Sequence, residues 1–593
     1  MTDAVTEAQL AAGSNPGGLS DLEARSNLTR SQFLIWTGQK LAPGTPIYNM
    51  GWRFDLPVAV DPGIFERAFA HVAEACDSLR TIITEADGVP WQEVLSRPAG
   101  DFAVVALASQ AEALRWIEAR MRRVFDVRTQ TFDSALLMLP GERSIWFLNQ
   151  HHLVTDAASG SLLFGEAARA YEAFSQGSGA RLNELPAFAE SVEAERRGRD
   201  PADADFWAQR NAAGALPPRL YQALGLGGGQ SARRIVLPLG LERSRRLRAL
   251  AESAGFQSLT PQQSLFNIFA TALAAFVARV SADREFALGV MTHGRVSPDA
   301  RRTPGLHAEL FPLDVALPEG ASFRALNRMI AEEAFTLLRH ASRGASSAAG
   351  QARFKVILNY IRVRFENFAG KPAKAEWLHP GAGDPRHALR LSVLDFSDAE
   401  ELALSFDINT ALLEAPLPDR LPRHFERLLD AMLDDPDLEM GRAALALDGE
   451  ASVSLTESTA ALGAREAVSP PPDVLRAFAE RVVEAPAAVV IREEQGTISR
   501  ADLDAWSSAL AESLAAAGVR QGDRVGLHMT RSGGLVAAIL GVLKLGAAYV
   551  PLDPLQPLGR LDAIVDQARP KVVVTERELM AAWPCQTARL CIE

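Results

Sequence analysis

The spacing of hydrophobic and polar positions changes repeatedly along the chain, and each change predicts a boundary between helix and strand. Apolar residues recur at helical spacing in LTRSQFLIWTGQKL, from Leu28, and in GIFERAFAHVAEACDSL, where Phe65, Phe69 and Val72 share one face. YNMGWRFDL and SIWFLNQHHLV are short apolar runs that predict strands. Thr29 precedes the first helical pattern and is a suitable N-cap.

The same mixture continues to the end of the chain. EFALGVMTH and RFKVILNYIRV predict strands, and LPRHFERLLDAML predicts a helix. After three consecutive prolines, helices such as ADLDAWSSALAESLAAAG alternate with strands such as RVGLHM, which predicts a wound, parallel α/β sheet. The apolar stretch Gly533 to Leu552 is long enough for a membrane span, but Lys544 and Pro551 favour a buried helix followed by a buried strand.

These patterns divide the sequence into five segments. Residues 1–27 form a flexible, polar N-terminal tail, and residues 28–195 and 196–450 form two α/β lobes of similar make-up. Residues 451–473 are a linker of small and polar residues, and residues 474–593 form a third α/β unit. Two similar lobes with a cleft between them are a common setting for a site.

Composition narrows the classes of function. The chain has 593 residues, of which 48% are hydrophobic and 23% charged, and its net charge is −12. No block of lysine and arginine is present, so we expect no nucleic-acid partner. Three cysteines cannot form a disulfide framework, and the N-terminus lacks the features of a signal peptide, which together favour the cytoplasm.

The stretch NQHHLVTDAASG carries the candidate chemistry, at a predicted junction between strand and helix. Neighbouring side chains of a strand point to opposite faces, so His151 and His152 should diverge, which argues against a shared metal ion. A histidine that faces a cleft can take or steer a proton. Asp156 can act catalytically or anchor the loop by pairing with an arginine. Ser159 does not lie in a nucleophile elbow. The residues alone also permit a purely structural role as polar groups at a strand end.

Several motifs in order resemble those of the condensation domains of nonribosomal peptide synthetases. They are LTRSQFLIW, CDSLRTII, NQHHLVTDA, MTHGR, GLHAELFPL, VILNY and LALSFDINTALLE, and they cover about residues 28–447. TISRADL and LKLGAAYVPLDP resemble early motifs of an adenylation domain. The phosphate loop of that family and its ATP and amino acid sites do not follow, so this third unit is expected to be inactive alone.

The resemblance implies two lobes like chloramphenicol acetyltransferase, arranged in a V. Donor and acceptor carrier proteins, or acyl-CoA as donor, would insert phosphopantetheine arms as substrates, with no resident cofactor or metal. His152 would orient or deprotonate the acceptor amine beside His151 and Asp156, and Arg295 would pair with Asp156. Ala157 and Ser159 would lie next to the tunnel. The rest of the synthetase would be a further partner.

The sequence departs from the family pattern at three positions. Ala157 replaces the glycine of the histidine motif, which would narrow the tunnel or would be harmless at negative φ. His307 and Glu309 stand where the pattern has Phe and Asn. The condensation-like region comes first in the chain. This order suits a starter domain and equally a module that receives its acyl donor from a separate upstream protein. The alternative from a different class is a catalytically silent platform that recruits partners.

Overall fold

A computed structural model of the chain describes residues 16–178, 185–198, 200–214, 217–222, 229–342, 344–396, 401–413, 415–447, 474–493, 496–554, 556, 558–585 and 587–592. The chain divides into two compact units, Met1–Glu450 and Ala451–Glu593. The predicted linker 451–473 and the first fifteen residues of the predicted tail lie outside the described residues.

Helices and strands alternate throughout the first unit. Its helices are α1 (Pro16–Arg25), α2 (Arg30–Leu41), α3 (Pro62–Ala75), α4 (Gln110–Met121), α5 (Ala157–Ser175), α6 (Phe188–Arg197), α7 (Pro201–Ala213), α8 (Gly240–Glu252), α9 (Pro261–Ser281), α10 (Pro298–Arg302), α11 (Phe323–His340), α12 (Ala348–Gln351) and α13 (Leu417–Asp434), with short 3-10 turns at Asp77–Arg80, Leu220–Gln222 and Met440–Arg442. Its strands are β1 (Asn49–Leu56), β2 (Thr81–Ala86), β3 (Val89–Val94), β4 (Gly100–Ala106), β5 (Phe132–Leu139), β6 (Arg143–His151), β7 (Ala232–Pro238), β8 (Glu285–Thr292), β9 (Glu309–Ala316), β10 (Val356–Arg362), β11 (Asn367–Phe368), β12 (Lys371–Pro372), β13 (Lys374–Leu378), β14 (Leu389–Asp395) and β15 (Ala403–Asn409).

The first helix lies in the segment that the sequence analysis assigned to a flexible tail. Helix α1 ends just before Ser26, which is buried and whose Oγ donates a hydrogen bond to the Pro90 carbonyl at 2.7 Å. The predicted tail is therefore wrong from residue 16 onward. Contacts with residues far along the chain hold this segment, and a local sequence pattern does not reveal such contacts.

The first large sheet is covered on both faces, and this explains its strand sequences. Its order is β13–β1–β6–β5–β4, and only the β4–β5 pair is parallel. Leu136 of β5 packs in the core that contains α3 and α5, whereas Leu137 packs in the core that contains α4. Because both faces are covered, strand β6 is buried from Ser144 to His151 and shows no alternation of buried and exposed positions.

The second large sheet shares its hydrophobic core with one long buried helix. Its order is β7–β15–β14–β10–β8–β9, with β8, β10 and β14 parallel. Helix α9 packs against α8, α11 and α13. By length and composition α9 could cross a membrane, but 83% of its apolar window is buried within the protein. Its apolar surface therefore serves the core of this unit.

The two lobes exchange chain segments, so a single boundary does not separate them. Strand β13 comes from the second half of the sequence and pairs with β1 of the first sheet. The boundary predicted between residues 195 and 196 falls inside α6, where Phe188 and Val192 pack against Leu306. That boundary is wrong because strand exchange depends on pairings between distant residues.

The second unit confirms the predicted wound sheet. Its elements are α14 (Val474–Glu484), β16 (Val489–Glu493), β17 (Gly496–Ser499), α15 (Arg500–Ala516), β18 (Arg524–His528), α16 (Gly533–Lys544), β19 (Ala548–Pro551), α17 (Leu558–Ala568), β20 (Val572–Glu576), α18 (Arg577–Ala582) and β21 (Arg589–Ile592). Strands β19–β18–β20–β21 are all parallel. The helix and strand expected from residue 533 are both present, but β19 is largely exposed rather than buried because it lies at the sheet edge.

Candidate active site

The two adjacent histidines diverge at the end of β6, as the strand geometry predicts. His151 is the last residue of β6 and is 1% exposed, whereas His152 is partly buried and lines a cavity. The backbone N–H of His152 donates to the Tyr48 carbonyl at 2.8 Å and fixes this turn against β1. Among the residues that the structure describes, no cluster of histidine, cysteine or acidic side chains could hold a metal ion.

Both ring nitrogens of His151 have hydrogen-bond partners within the protein. Its Nδ1 accepts a hydrogen bond from the Leu153 backbone N–H at 3.2 Å, so its Nε2 carries the proton and donates to Gln39 Oε1 at 3.2 Å. Burial lowers the pKa of His151 to about 3, and the neighbouring His152 adds to this effect. The neutral ring thus has both nitrogens occupied and does not line the cavity.

His152 has a defined tautomer with one nitrogen left over. Its Nδ1 lies 2.7 Å from the Thr155 carbonyl oxygen, which only accepts, so Nδ1 donates and Nε2 keeps a lone pair. Burial lowers the pKa of His152, although the hydrogen bond to the Thr155 carbonyl and the Asp156 charge oppose this effect. The ring is therefore a neutral base at cellular pH, in a side chain that borders the cavity.

Asp156 caps helix α5 and joins the two halves of the first unit. Its Oδ1 accepts from the Ser159 backbone N–H at 3.0 Å and from Ser159 Oγ at 2.8 Å, in a capping box. Oδ1 also accepts from Arg295 Nη2 at 2.8 Å, and Oδ2 accepts from the His307 backbone N–H at 3.2 Å. The pairing of Asp156 with Arg295 that the resemblance implied is thus present as a buried ion pair.

Arg295 has several partners in addition to Asp156. Its Nη1 donates to the carbonyl oxygens of Ala300 and Thr303, both at 2.6 Å, and its Nη2 contacts the Gly305 carbonyl at 3.2 Å. Both members of the ion pair are about 6% exposed. We call Asp156, Arg295 and Ser159 the clasp, because they connect the start of α5 with the loop after β8.

The electrostatics of the clasp favour the charged form of Asp156. Burial by itself raises the pKa of this carboxyl group, but the charge of Arg295 and the hydrogen bonds outweigh burial and hold the pKa at about 2. A charge in this position is stabilised only while its partner is present, because an unpaired buried charge is costly. The folded state therefore keeps Asp156 ionised and paired with Arg295.

Ala157 and Ser159 differ in their relation to the cavity. Ala157 borders it and is the first residue of α5, outside the set of residues with positive φ. The backbone conformation at this position therefore does not require glycine, so the alanine causes no backbone strain. Ser159 is fully buried behind Asp156 and does not line the cavity, so its expected place beside the tunnel is corrected.

The cavity has a volume of about 900 Å³ and is lined by both halves of the first unit. The first half contributes Ser31, Leu34, Tyr48 and His152 among others, and the second half contributes side chains of β7, β10, β14 and β15. Sequence reasoning missed the charged residues Arg234, Asp384, Arg386, Arg390 and Asp407 that line it. Arg234, Arg390 and Asp407 come from three different strands and Asp384 and Arg386 from the segment before β14, so no common local pattern marks them as a group, although Asp407 lies within the motif LALSFDINTALLE.

The departures at His307 and Glu309 lie close to the clasp. His307 occupies the position where the family pattern has Phe, and its ring packs edge-on against Phe188, with centroids 5.6 Å apart. Glu309 accepts hydrogen bonds from the backbone N–H groups of Gly344, at 2.7 Å, and Ser346, at 3.3 Å. Burial, together with the charge of Glu195, raises the pKa of Glu309 to about 7.

Two protein-family models match the chain. The family model for the condensation domain matches residues 23–453, and the model for AMP-binding enzymes matches residues 475–591. The chain belongs to the condensation-domain family. The region of condensation fold is followed by the start of an AMP-binding domain, and the relatives of the whole chain are nonribosomal peptide synthetases.

The curated relatives are much longer than this chain. It is 28% identical over 589 residues to the isonitrile lipopeptide synthase of Streptomyces coeruleorubidus, covering 94% of this chain and 38% of that protein. It is 25% identical over 577 residues to a dimodular nonribosomal peptide synthase of Bacillus subtilis (strain 168), covering 94% and 24% respectively. The chain thus spans well under half the length of these relatives.

Solved condensation domains share the fold of the first unit. A mutant of the starter condensation domain of rhizomide synthetase, in complex with C8-CoA, superimposes with a TM-score of 0.61 at 21% identity, over 71% of this chain and 97% of that one. The first condensation domain of the calcium-dependent antibiotic synthetase gives 0.61 at 22% identity, over 71% and 98%. At these identities the likeness establishes the two-lobed fold.

Proposed function

We propose that the first unit forms an amide bond between an upstream acyl thioester and the amine of a downstream aminoacyl thioester. The observation that carries this proposal is the His152 imidazole, which borders the cavity with Nε2 as its lone-pair nitrogen. Condensation domains of nonribosomal peptide synthetases are acyltransferases, and both substrates would arrive on phosphopantetheine arms of carrier proteins, or on coenzyme A for the donor. The rest of the synthetase would supply the carriers, in the cytoplasm.

The reaction balances with this one base. The acceptor amine attacks the thioester carbonyl, the C–N bond forms, and the C–S bond breaks. His152 takes the proton that the amine loses and returns it to the departing thiolate. An α-amine has a pKa of roughly 7.7–8.0, so a large share is protonated near neutral pH and a base helps to select the reactive form. Holding both thioesters in one cavity supplies further rate by proximity.

The other motif residues act through His152. We propose that the clasp of Asp156 and Arg295 positions the loop, since these residues are buried and paired with each other rather than exposed to a substrate. We assign His151 to the support of the strand end, because both its nitrogens are engaged. His152 is thus the residue for which we propose direct contact with the reacting groups.

The test mixes the full chain with a leucyl carrier protein and, in separate reactions, with octanoyl-CoA or an octanoyl carrier protein. We expect wild type to form the amide, seen by mass spectrometry, and His152→Ala to reduce its rate by about 10²–10⁴-fold, the range of general-base catalysis. Activity with octanoyl-CoA would favour a starter role. His71→Ala, on helix α3, is the matched histidine control.

Two outcomes would oppose the proposal. Equal rates for wild type and His152→Ala would remove the role of this imidazole. Carrier binding without amide from any donor would instead favour a silent platform that recruits partners. In that case backbone strain at Ala157 would not explain the lack of amide formation, because the φ of Ala157 is not positive and the start of α5 tolerates a methyl group.

A further inference from the structure

The cavity contains more positive than negative charge. Its lining includes three carboxylates, Asp156, Asp384 and Asp407, and each of them already forms a close ion pair with one arginine. Those arginines are Arg295, Arg386 and Arg234. Three further arginines line the same space: Arg362 lies 3.8 Å from Asp395, and Arg301 donates to the Arg295 carbonyl oxygen at 3.4 Å. Among the described residues, the third, Arg390, has neither a carboxylate within 4.0 Å nor a hydrogen-bond partner, so part of the excess charge lies on Arg390.

Arg390 belongs to a row of residues that crosses the second sheet. In the antiparallel pairs, Arg390 of β14 is opposite Asp407 of β15, and Asp407 is opposite Arg234 of β7. Residues directly opposite each other share a face of the sheet. Leu389 and Leu391 point into the hydrophobic core, so the alternation along β14 turns Arg390 to the cavity side. We call Arg234, Asp407 and Arg390 the cationic row.

Within this row, Asp407 is committed to Arg234. Nε and Nη2 of Arg234 contact the two oxygens of Asp407 at 2.6 Å and 2.8 Å, which is a bidentate arrangement. Trp377 packs over the Arg234 guanidinium at 4.6 Å from its ring centroid and accepts a hydrogen bond from Nη1 on its carbonyl. Both oxygens of Asp407 are thus engaged by Arg234, and Arg390 acts on Asp407 through its charge without a hydrogen bond.

Arg390 lacks an equivalent partner in the part of the chain that the structure describes. No carboxylate there lies within 4.0 Å of its guanidinium, and no described side chain or backbone group accepts a hydrogen bond from it. Its histidine neighbours do not change this charge, because burial lowers the pKa of both His379 and His387 to about 4 and both rings are neutral. The cationic row therefore carries a net charge of about +1.

The charge of Arg390 is felt at the proposed reacting centre. Both Arg390 and His152 line the cavity, and Arg390 contributes, after burial, to the lowered pKa of His152. A partly buried arginine is stabilised best by a group that fits its planar fork, which a carboxylate does bidentately. A phosphate of the pantetheine arm would sit at the end of the arm remote from the thioester, whereas a carboxylate can lie beside it.

We propose that the cavity binds a substrate that carries a carboxylate near the thioester, with the Arg390 guanidinium as its counter-ion. This inference rests on the proposed amide-forming function and names the substrate class for it. The carboxylate belongs either to the acyl donor or to the side chain of the aminoacyl acceptor. Arg390 is then a specificity-determining residue, whose charge selects an acidic substrate over a neutral one of the same shape.

The test uses the full chain and pairs of N-acetylcysteamine thioesters that differ in charge only. Aspartyl and asparaginyl acceptors compete for an octanoyl donor, and glutaryl and glutaramoyl donors compete for a leucyl acceptor. We expect wild type to favour the acidic member of one pair by at least about tenfold, as charged hydrogen bonds allow. The pair that responds identifies the source of the carboxylate. Mass spectrometry of the mixed products gives each ratio.

Variants of Arg390 show whether the preference for an acidic substrate depends on this guanidinium. Arg390→Gln should bring the ratio to within about twofold of unity, and Arg390→Lys should keep part of the preference because it keeps the charge. The matched control is Arg233→Gln, since Arg233 lies on β7 beside Arg234 but forms an exposed ion pair with Asp419. It should leave the wild-type ratio unchanged.

Three results would overturn the inference. The first is a wild-type ratio near unity in both pairs while amide still forms, which would leave the proposed function intact. The second is an unchanged preference in Arg390→Gln. The third is a defect of Arg390→Gln that appears only with coenzyme A thioesters, which would assign the arginine to a phosphate. Should no amide form at all, equal calorimetric affinities of wild type for acidic and neutral thioether analogues would overturn it as well.

Discussion

The clasp and the cationic row each use arginine and aspartate, but they differ in how completely the charges are paired. In the clasp, Asp156 and Arg295 are buried and paired with each other, and two carbonyl oxygens accept hydrogen bonds from Nη1 of Arg295. In the row, Asp407 pairs with Arg234 and leaves Arg390 facing the cavity. Charges that are paired with each other in the interior therefore support the fold, whereas an unpaired charge at a cavity wall is available to a ligand.

The largest expected effect comes from removing one charge of the clasp. Asp156→Ala leaves the Arg295 charge buried without a carboxylate, and we expect it to cost about 3–5 kcal/mol of the free energy of opening of the first unit. Hydrogen exchange of the β5 and β6 amides in the full chain measures this quantity. The matched control is Asp299→Ala, whose exposed ion pair with Arg302 should contribute little. A loss below about 1 kcal/mol for Asp156→Ala would contradict the anchoring role.

Acid should weaken the clasp without a mutation. The pKa of Asp156 is about 2 in the folded state and about 3.9 in an unfolded chain, so the folded state favours the charged form. This stabilisation is complete above about pH 4 and is lost as the pH falls toward 2. We expect it to be on the order of 2–3 kcal/mol. Hydrogen exchange of β6 between pH 5 and 2 should show a smaller pH dependence in Asp156→Asn. Identical slopes for both proteins would be incompatible with this assignment.

Glu309 is a buried carboxylate that forms no ion pair with an arginine among the described residues, unlike Asp156 and Asp407. Burial and then the charge of Glu195 raise the pKa of Glu309 to about 7, above about 4.3 in an unfolded chain. The folded state therefore favours the protonated form, and stability falls as the pH rises from about 4 to above 7. Glu309→Gln should be more stable than wild type at pH 8, by on the order of 1–2 kcal/mol, and closer to it at pH 5. Thermal unfolding at both values tests this, and a constant difference would disprove it.

The smallest expected effect concerns the unpaired arginine. Arg390→Gln removes no ion pair, so we expect its stability to stay within about 0.5 kcal/mol of wild type, as is usual for substitutions that break no such feature. Arg234→Gln leaves Asp407 without its bidentate partner and should cost clearly more, about 1–3 kcal/mol. Hydrogen exchange of β14 and β15 compares the two variants. Equal losses would show that Arg390 already has a structural partner.

The local architecture was predictable because it depends on short-range rules. The helix after Thr29, the strand before His151 and the parallel strands of the second unit were all expected from the spacing of apolar residues, and the structure contains them. The divergence of His151 and His152 follows in the same way from strand geometry. The ordered motifs also identified the family, which the match over residues 23–453 establishes.

The errors share one physical origin. The helix Pro16–Arg25, the strand Lys374–Leu378 in the first sheet and the boundary inside Phe188–Arg197 all depend on contacts between residues far apart in sequence. The exposed strand Ala548–Pro551 reflects its place at a sheet edge. Such positions are set by which strands pair and which surfaces meet, and a local pattern carries no information about either.

The sequence by itself thus determined the local elements, the candidate histidine pair and the family of this protein, because periodicity and ordered motifs are properties of neighbouring residues. The family resemblance already singled out His152, but the tertiary structure alone decided which ring nitrogen of each histidine carries the proton, since that depends on the partners of each nitrogen. It also decided that Ser159 supports Asp156 behind the cavity wall. Finally, only strand pairing between distant segments places Arg390 beside an aspartate that another arginine already holds.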